Sequence, residues 1–480
     1  MAFLKRLTPF TLPFLIAACG NDDLDPNDIS APDIYEFTSQ TDPASPSSVD
    51  YKEAVTRILL IKELEHLIGS NHLQTVGESN GRAFVLHLLN RIYKVGTKDL
   101  TNNLGSTNLY DDPANPTPTP TPTPISGINP ETDITSDLAL EQQDFSQLAQ
   151  NVNLMDKMPG IAYPLTYRDE EDATKGRFIG WPLTGVTGDD MPDALIQHWF
   201  EKIADIATDG NLDTKFINSG RDYQQLVSTF LLGAIGFGQI SSTHLNTTSG
   251  LTAENSGDSS LAYTPLEHQW DLAFGYYGGV RHLATLSDTQ ITQQKDHNYV
   301  GQSIDLFSEY NFDYAQQTVS RDMVAPLADS VMSDSIIQAF LNGRQLISSA
   351  YKSTESRQSL QSKINAEANI ILENWEKSLA ATSIHFSNTT ADYVLRYPGF
   401  ANEYAASWSK LKAYSLALQF HPNPTLSADV LQELHVMLRE TPEVNLDVSK
   451  LINYSLELSI EARGIFEVAF EFSTENARVW

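Results

Sequence analysis

Between residues 358 and 380, apolar side chains recur at steps of three and four: Leu360, Ile364, Ala368, Ile371, Trp375 and Leu379. A helix of about 3.6 residues per turn brings such positions onto one face. The same period starts after Tyr51, where Val55, Ile58, Leu59, Leu64, Leu67 and Ile68 share a face and Gly69 ends the run. Phe84, Val85, Leu88, Leu89 and Ile92 repeat it. Met191-Pro192 opens a run with Leu195, Ile196, Trp199, Phe200, Ile203 and Ile206, and Pro192 suits a first helical turn. Leu226, Val227, Phe230, Leu231 and Ala234 mark a helix over 221–237. Tyr404, Trp408, Leu411 and Leu418 mark another, stopped by His421-Pro422-Asn423-Pro424. Ser427 reads as the N-cap of a run with Val430, Leu431, Leu434 and Leu438. Strand-type alternation is scarce and no fixed-period repeat is visible. The expected fold is all-α, a multi-helix bundle of about a dozen helices.

The amino end reads as an address. Lys5 and Arg6 precede a short apolar stretch over 7–18 that Pro9 and Pro13 interrupt. It is shorter than the roughly 20 residues that span a bilayer, and it reads as a secretory signal. Ile16-Ala17-Ala18-Cys19 resembles the bacterial lipobox, in which the cysteine is lipidated and becomes the mature N-terminus. The alternatives are an ordinary signal peptide with a stray cysteine, or an internal anchor. Gly20 stands where an aspartate favours inner-membrane retention, so the expected location is the outer membrane, periplasmic or surface-exposed. Cys19 is the only cysteine in 480 residues. Disulfides, thiolate metal sites and cysteine nucleophiles are therefore excluded from the folded part, which must be held by burial.

Residues 20–47 are rich in Asp, Pro and Ser and lack a period, so 19–47 is expected to be a lipidated flexible tether after a signal peptide over 1–18. The helical domain is expected over 48–470. Within it, Pro113-Ala114-Asn115-Pro116 leads into alternating Thr-Pro. Each proline removes an amide donor and pushes the preceding residue out of the α region, which predicts an extended surface loop at about 111–130. A domain linker is the alternative. The chain has 31 Lys+Arg and 61 Asp+Glu; losing Lys5 and Arg6 with the signal leaves a net charge of −32. Such a surface repels nucleic acid and anionic headgroups. It serves solubility, or attracts cations.

Four segments carry a family resemblance: "SVDYKEAVTRILLIKEL", "RDYQQLVSTFLLGA", "YTPLEHQWDLAFGYYGG", and the set "AFLNGRQLI", "ENWEKSLAATSIHFSN" and "SWSKLKAYSLALQFHP". Together they resemble the bacterial lipoprotein family called domain of unknown function 4856. The third segment is the most specific and looks like its His-x-x-Trp-Asp-x-Ala-Phe-Gly-Tyr signature. The resemblance implies a helical, imelysin-like fold and an association with iron uptake, with a TonB-dependent receptor as the partner to look for. Two positions depart from the pattern: Leu272 follows Asp271 where a second acid is expected, and Lys410 follows Ser409 where a glutamate is expected. Both losses remove a carboxylate.

The candidate site lies on the helix expected from Pro265. At 100° per residue Glu267 and Asp271 fall one turn apart on one face, with His268 beside Asp271. Trp270 and Phe274 border this strip, Tyr276 supports it, and Gly275 admits a close neighbour. Such spacing supplies two or three ligands for a divalent metal or iron, and bundle cores use it. A fourth would come from elsewhere, for instance Glu376 or His385. The structural alternative has His268 and Asp271 bonded to each other and capping neighbouring helices. Catalysis is the third reading.

Weaker clusters are Ser320-Arg321-Asp322 and Arg344, both expected in internal ion pairs, and "GAIGFGQI", read as close helix packing. "DGNLD" at 209–213 lacks the ligand spacing of an EF-hand, and no His-Glu-x-x-His or Gly-x-Ser-x-Gly is present. Three functions follow as expectations: a lipid-anchored binding or accessory module in iron or iron-complex uptake, a surface hydrolase, or an interaction lipoprotein partnering a membrane receptor.

Overall fold

The computed structural model describes residues 30–69, 71–95, 152–159, 178–183, 186, 191–209, 217–257, 260–278, 281, 283–293, 313–327, 331–351, 354–445 and 447–480. Cys19, the expected signal segment over 1–18 and the Thr-Pro run lie outside the described residues. The flanks of that run do meet: Leu154 donates its amide to the Tyr93 carbonyl at 3.1 Å.

The fold is all-α. Its first helices are α1 (Lys52–Gly69), α2 (Asn71–Asn80) and α3 (Arg82–Asn90). Then come α4 (Met191–Ala207), α5 (Tyr223–Leu231) and α6 (Pro265–Tyr277). Next are α7 (Asp288–Gln293), α8 (Asp313–Val324) and α9 (Met332–Ser349). The 41-residue α10 (Thr354–Val394) is about 60 Å long at 1.5 Å per residue. It is followed by α11 (Ala401–Ala417), α12 (Ala428–Leu438), α13 (Val448–Leu456), α14 (Arg463–Ala469) and α15 (Thr474–Val479). Among the described residues the strands are two residues each, Ile217–Asn218 paired antiparallel with Arg221–Asp222 across Ser219 and Gly220, both at positive φ.

Helix α10 is the spine. It packs against α8, α9, α11 and the C-terminal helices α13 to α15. Its buried stripe is the one the sequence displays: Leu360, Ile364, Ala368, Ile371, Trp375 and Leu379 are at most 1% exposed. Burying each large apolar side chain stabilises the fold by about 1.5–3 kcal/mol. Four tryptophans, Trp199, Trp270, Trp375 and Trp408, are fully buried. Helix α5 runs on through π-helical stretches at Leu232–Phe237 and Ile240–His244. The resulting 22-residue rod, Tyr223–His244, is apolar and long enough to cross a membrane, yet 89% of its apolar window is buried inside the fold. Its glycines explain this: a methyl on Gly233 would strike Ala417 of α11, and one on Gly238 would press Pro159.

The packed body extends beyond both expected limits. Within the stretch expected to be a tether, Tyr35 is 1% and Phe37 6% exposed, because two aromatics find an apolar shelf on α6. At the other end, Trp480 is 3% exposed and its indole donates to the Arg321 carbonyl at 2.9 Å.

Candidate functional site

Helix α6 begins with a reciprocal cap. The Thr264 hydroxyl accepts from the Glu267 amide at 3.2 Å, and the Glu267 carboxylate accepts from the Thr264 amide at 2.8 Å. This is a Thr-x-x-Glu capping box, which satisfies two orphan amides of the first turn. It gives Glu267 a local reason to be a glutamate. Pro265 opens the helix and Gly278, at φ 98°, closes it. Gly275 lies against α1: a Cβ there would come within 2.8 Å of the Tyr51 Cβ and 3.0 Å of the Ala54 Cβ.

Opposite stands Arg344 of α9. Next to it, Gly343 has no room for a methyl group, which would run into the Trp270 indole. The two helices therefore approach closely, and Trp270 donates its indole N–H to the Phe340 carbonyl at 3.0 Å. This proximity aims the Arg344 guanidinium between the two acids. Nε donates to Asp271 and Nη1 to Glu267, both at 2.8 Å. Nη1 also reaches the Ser348 hydroxyl at 2.6 Å, and Nη2 the Ser48 hydroxyl at 2.8 Å. Arg344 and Asp271 are 0% exposed and Glu267 is 1%.

The N-terminal arm, residues 35–50, covers the pair. The Tyr35 hydroxyl donates to Asp271 at 2.8 Å, and its ring stacks on Phe274 with centroids 3.7 Å apart. The Phe37 ring lies 4.8 Å from the Arg344 guanidinium carbon. The Asp50 amide donates to the second Asp271 oxygen at 3.2 Å, and the Asp50 carbonyl accepts from His268 Nδ1 at 3.0 Å. His268 and Asp271 thus share Asp50 instead of bonding to each other, and the imidazole stacks on Tyr263 at 4.5 Å.

Burial pushes the Asp271 carboxyl up, against the pull of Arg344 and the Tyr35 hydrogen bond. Burial also works against the Arg344 charge, but Asp271 and Glu267 outweigh it and raise that group further. The Tyr35 hydroxyl is pushed well up, first by burial and then by Asp271, so it stays a donor. Buried charges of this kind persist only when every oxygen and nitrogen has a partner.

The residues therefore do not fit a metal. The guanidinium occupies the place between the carboxylates that a cation would need. The expected fourth ligands are elsewhere. Glu376 accepts from the Thr425 amide at 2.8 Å and its hydroxyl at 2.7 Å. His385 packs 4.9 Å from Phe386, and burial, with Arg321 and Lys410 nearby, holds its ring down at about 4. Among the described residues no three His, Cys, Asp or Glu side chains form a metal-holding group. Of the supporting residues, Trp270 and Phe274 pack as above, and the Tyr276 hydroxyl accepts from Arg57 at 3.4 Å.

The two departures from the family pattern lie apart from this cluster. Leu272 is buried among apolar neighbours. The Ser409 hydroxyl accepts from the Asp222 amide at 2.8 Å, and the Lys410 ammonium lies over the Phe386 ring at 5.5 Å. Arg344 forms the expected internal ion pairs. Arg321 forms none among the described residues: its Nε and Nη1 have no partner there although the residue is 8% exposed. Sequence reasoning missed Tyr35, Ser48 and Thr264. Thr264-Pro265-Leu266-Glu267 carries a readable capping-box signal; Tyr35 and Ser48 sit in a stretch whose composition points to a coil.

These features define a class: an all-α bundle whose signature helix is locked by a buried arginine between two acids. Residues 200–366 match the family model described as "Domain of unknown function (DUF4856)", and this part of the chain belongs to that family. The match contains α6, α9 and the entire acid–arginine cluster except the arm. No curated protein and no solved structure matches the chain.

Proposed function

We propose that the protein is a binding and accessory module, held at the bacterial outer membrane by a lipid on Cys19 and serving the uptake of iron or an iron complex. The closure of the Glu267–Asp271 strip removes catalysis and metal capture there alike; what carries the accessory role is the lipobox-like amino end together with the net charge of the chain. The residues most specific to the family signature brace α6, α9 and the arm, and neither acid touches solvent. The hydrolase reading needs a solvent-reached carboxylate or water there, and so loses its support. Membrane attachment is supported by the lipobox-like Ile16-Ala17-Ala18-Cys19, and attraction of cationic or iron-bearing cargo by the net charge of the chain.

A second reading, an interaction lipoprotein partnering a membrane receptor, is favoured by one feature. Val448, Ile452, Leu456 and Ile460 recur every four residues along α13 and the π-helical stretch Glu457–Ala462, and are 67%, 44%, 47% and 57% exposed. Exposed apolar rows of this kind mark protein contacts.

The test uses protein beginning at Cys19. Calorimetric titration with iron(III), iron(III) citrate, haem, zinc, copper and calcium is paired with affinity purification from detergent-solubilised outer membranes. Uptake of an iron species, unchanged in His268→Ala, or recovery of a TonB-dependent receptor is expected. Failure of every titrant together with failure to recover any receptor sinks the proposal.

A further inference from the structure

A cleft of about 470 Å³ opens where the end of the Tyr223–His244 rod meets α10 and the turn after α11. That volume falls in the range of about 300–1,000 Å³ typical of small-molecule sites. Most of its chemistry, including Glu376 and His421, lies outside the residues matched by the family model. Nothing in the acid–arginine cluster touches it.

Its walls carry donors and acceptors in mixed supply. Glu376, buried in the wall, accepts from the Thr425 amide through one oxygen and from the Thr425 hydroxyl through the other. A carboxylate has about four acceptor positions, so each oxygen can take one more donor. His421 accepts from the Asn423 amide at 3.2 Å through Nδ1. Its Nε2 is buried and has no partner among the described residues. Asn246, Asn369 and Asn423 add amides that both give and accept. Two local distortions shape the same place. The rod enters the cleft through its π-helical turn Ile240–His244, and Glu471 is held at φ 55°. Such departures from regular backbone recur at binding sites.

A hydroxyl can donate to a carboxylate such as Glu376 and accept from an asparagine amide through the same oxygen. Glu373, Glu376 and Glu471 outnumber Lys377, so the walls disfavour anions. Burial pushes the Glu376 carboxyl up, while His421 and the two Thr425 hydrogen bonds pull it the other way. We propose that this cleft binds one unit of a neutral or amino-bearing saccharide, recognised through hydroxyls paired with Glu376 and the asparagine amides. This inference stands independently of the iron-uptake reading.

The test is ligand-observed NMR and calorimetry on the intact protein with glucose, glucosamine, N-acetylglucosamine and, as an acidic control, glucuronic acid. At least one of the first three should bind, with glucuronic acid at least tenfold weaker. Glu376→Gln should weaken binding at least tenfold. Because Glu376 also holds Thr425, a second variant, Asn369→Trp, places a ring at the mouth from an exposed position and should abolish binding while leaving the circular dichroism melt unchanged. The proposal is overturned by no binding of any neutral or amino sugar, by equal binding of glucuronic acid, or by binding that survives Asn369→Trp.

Discussion

Arg344 Nε and Asp271 Oδ1 lie 2.8 Å apart with both side chains fully buried, and they come from helices whose contact depends on a glycine. The same guanidinium holds Glu267 at 2.8 Å, so one cation serves two acids. Removing one member of such a set leaves an uncompensated charge in the interior, which costs about 3–5 kcal/mol. Arg344→Ala should therefore lower stability in urea by about that amount, with Arg344→Lys intermediate because it keeps charge but loses the fork. The Ala variant should regain part of the loss as pH falls: burial raises the Asp271 carboxyl, and without Arg344 stability declines as pH rises through that raised value. A loss below about 1 kcal/mol would mean that the cluster is not the brace described.

Tyr35→Phe keeps the ring on Phe274 and deletes only the hydroxyl that donates to Asp271. A hydrogen bond to a charged group contributes about 1.5–3 kcal/mol. The variant should unfold at correspondingly lower urea, and cleavage in the arm over residues 38–47 should become faster relative to wild type in limited proteolysis. Unchanged cleavage with unchanged stability would show that the arm is held without this contact.

Lys412 carries a prediction about pH. It is 0% exposed, its Nζ lies 3.1 Å from His435 Nδ1 and 5.9 Å from the Trp181 ring. Burial pushes the ammonium down from 10.5 to about 7; Glu440 opposes that shift and Arg221 adds to it. Between those two values the unfolded chain binds the proton that the folded chain releases. Stability should therefore rise with pH from about 7 to 10.5, with the full cost present below 7. Burial and Lys412 push the His435 ring well below 6.5, which adds a separate loss as pH falls below that value. Urea midpoints between pH 7 and 10 should climb for wild type and stay nearly flat for Lys412→Met. Parallel slopes would refute the assignment.

Much of the helical plan was legible because it rests on local rules. Gly69 ends α1 as its position suggests, Ser427 caps α12 by accepting from the Val430 amide, and "GAIGFGQI" packs closely at Gly233 and Gly236. On α6, the register that put Glu267 and Asp271 on one face was right. What occupies that face was not legible, since Arg344 lies 73 residues from Asp271 and Tyr35 lies 236 away, and helical periodicity carries no such pairing. Tyr35 and Phe37 stand among Asp, Pro and Ser, where composition speaks for solvent and only the distant shelf on α6 reverses it.

The docked arm has a geometric corollary. With the proposed lipid on Cys19, the membrane attachment stands 16 chain steps before Tyr35, the first buried aromatic among the described residues. At about 3.5 Å per residue that leash is at most about 55 Å, whereas release of the arm to residue 47 would pay out roughly 100 Å. Were Cys19 to carry the lipid, clasping Tyr35 and Ser48 would set how far from the bilayer the bundle can roam, and a single buried arginine would fix its working radius.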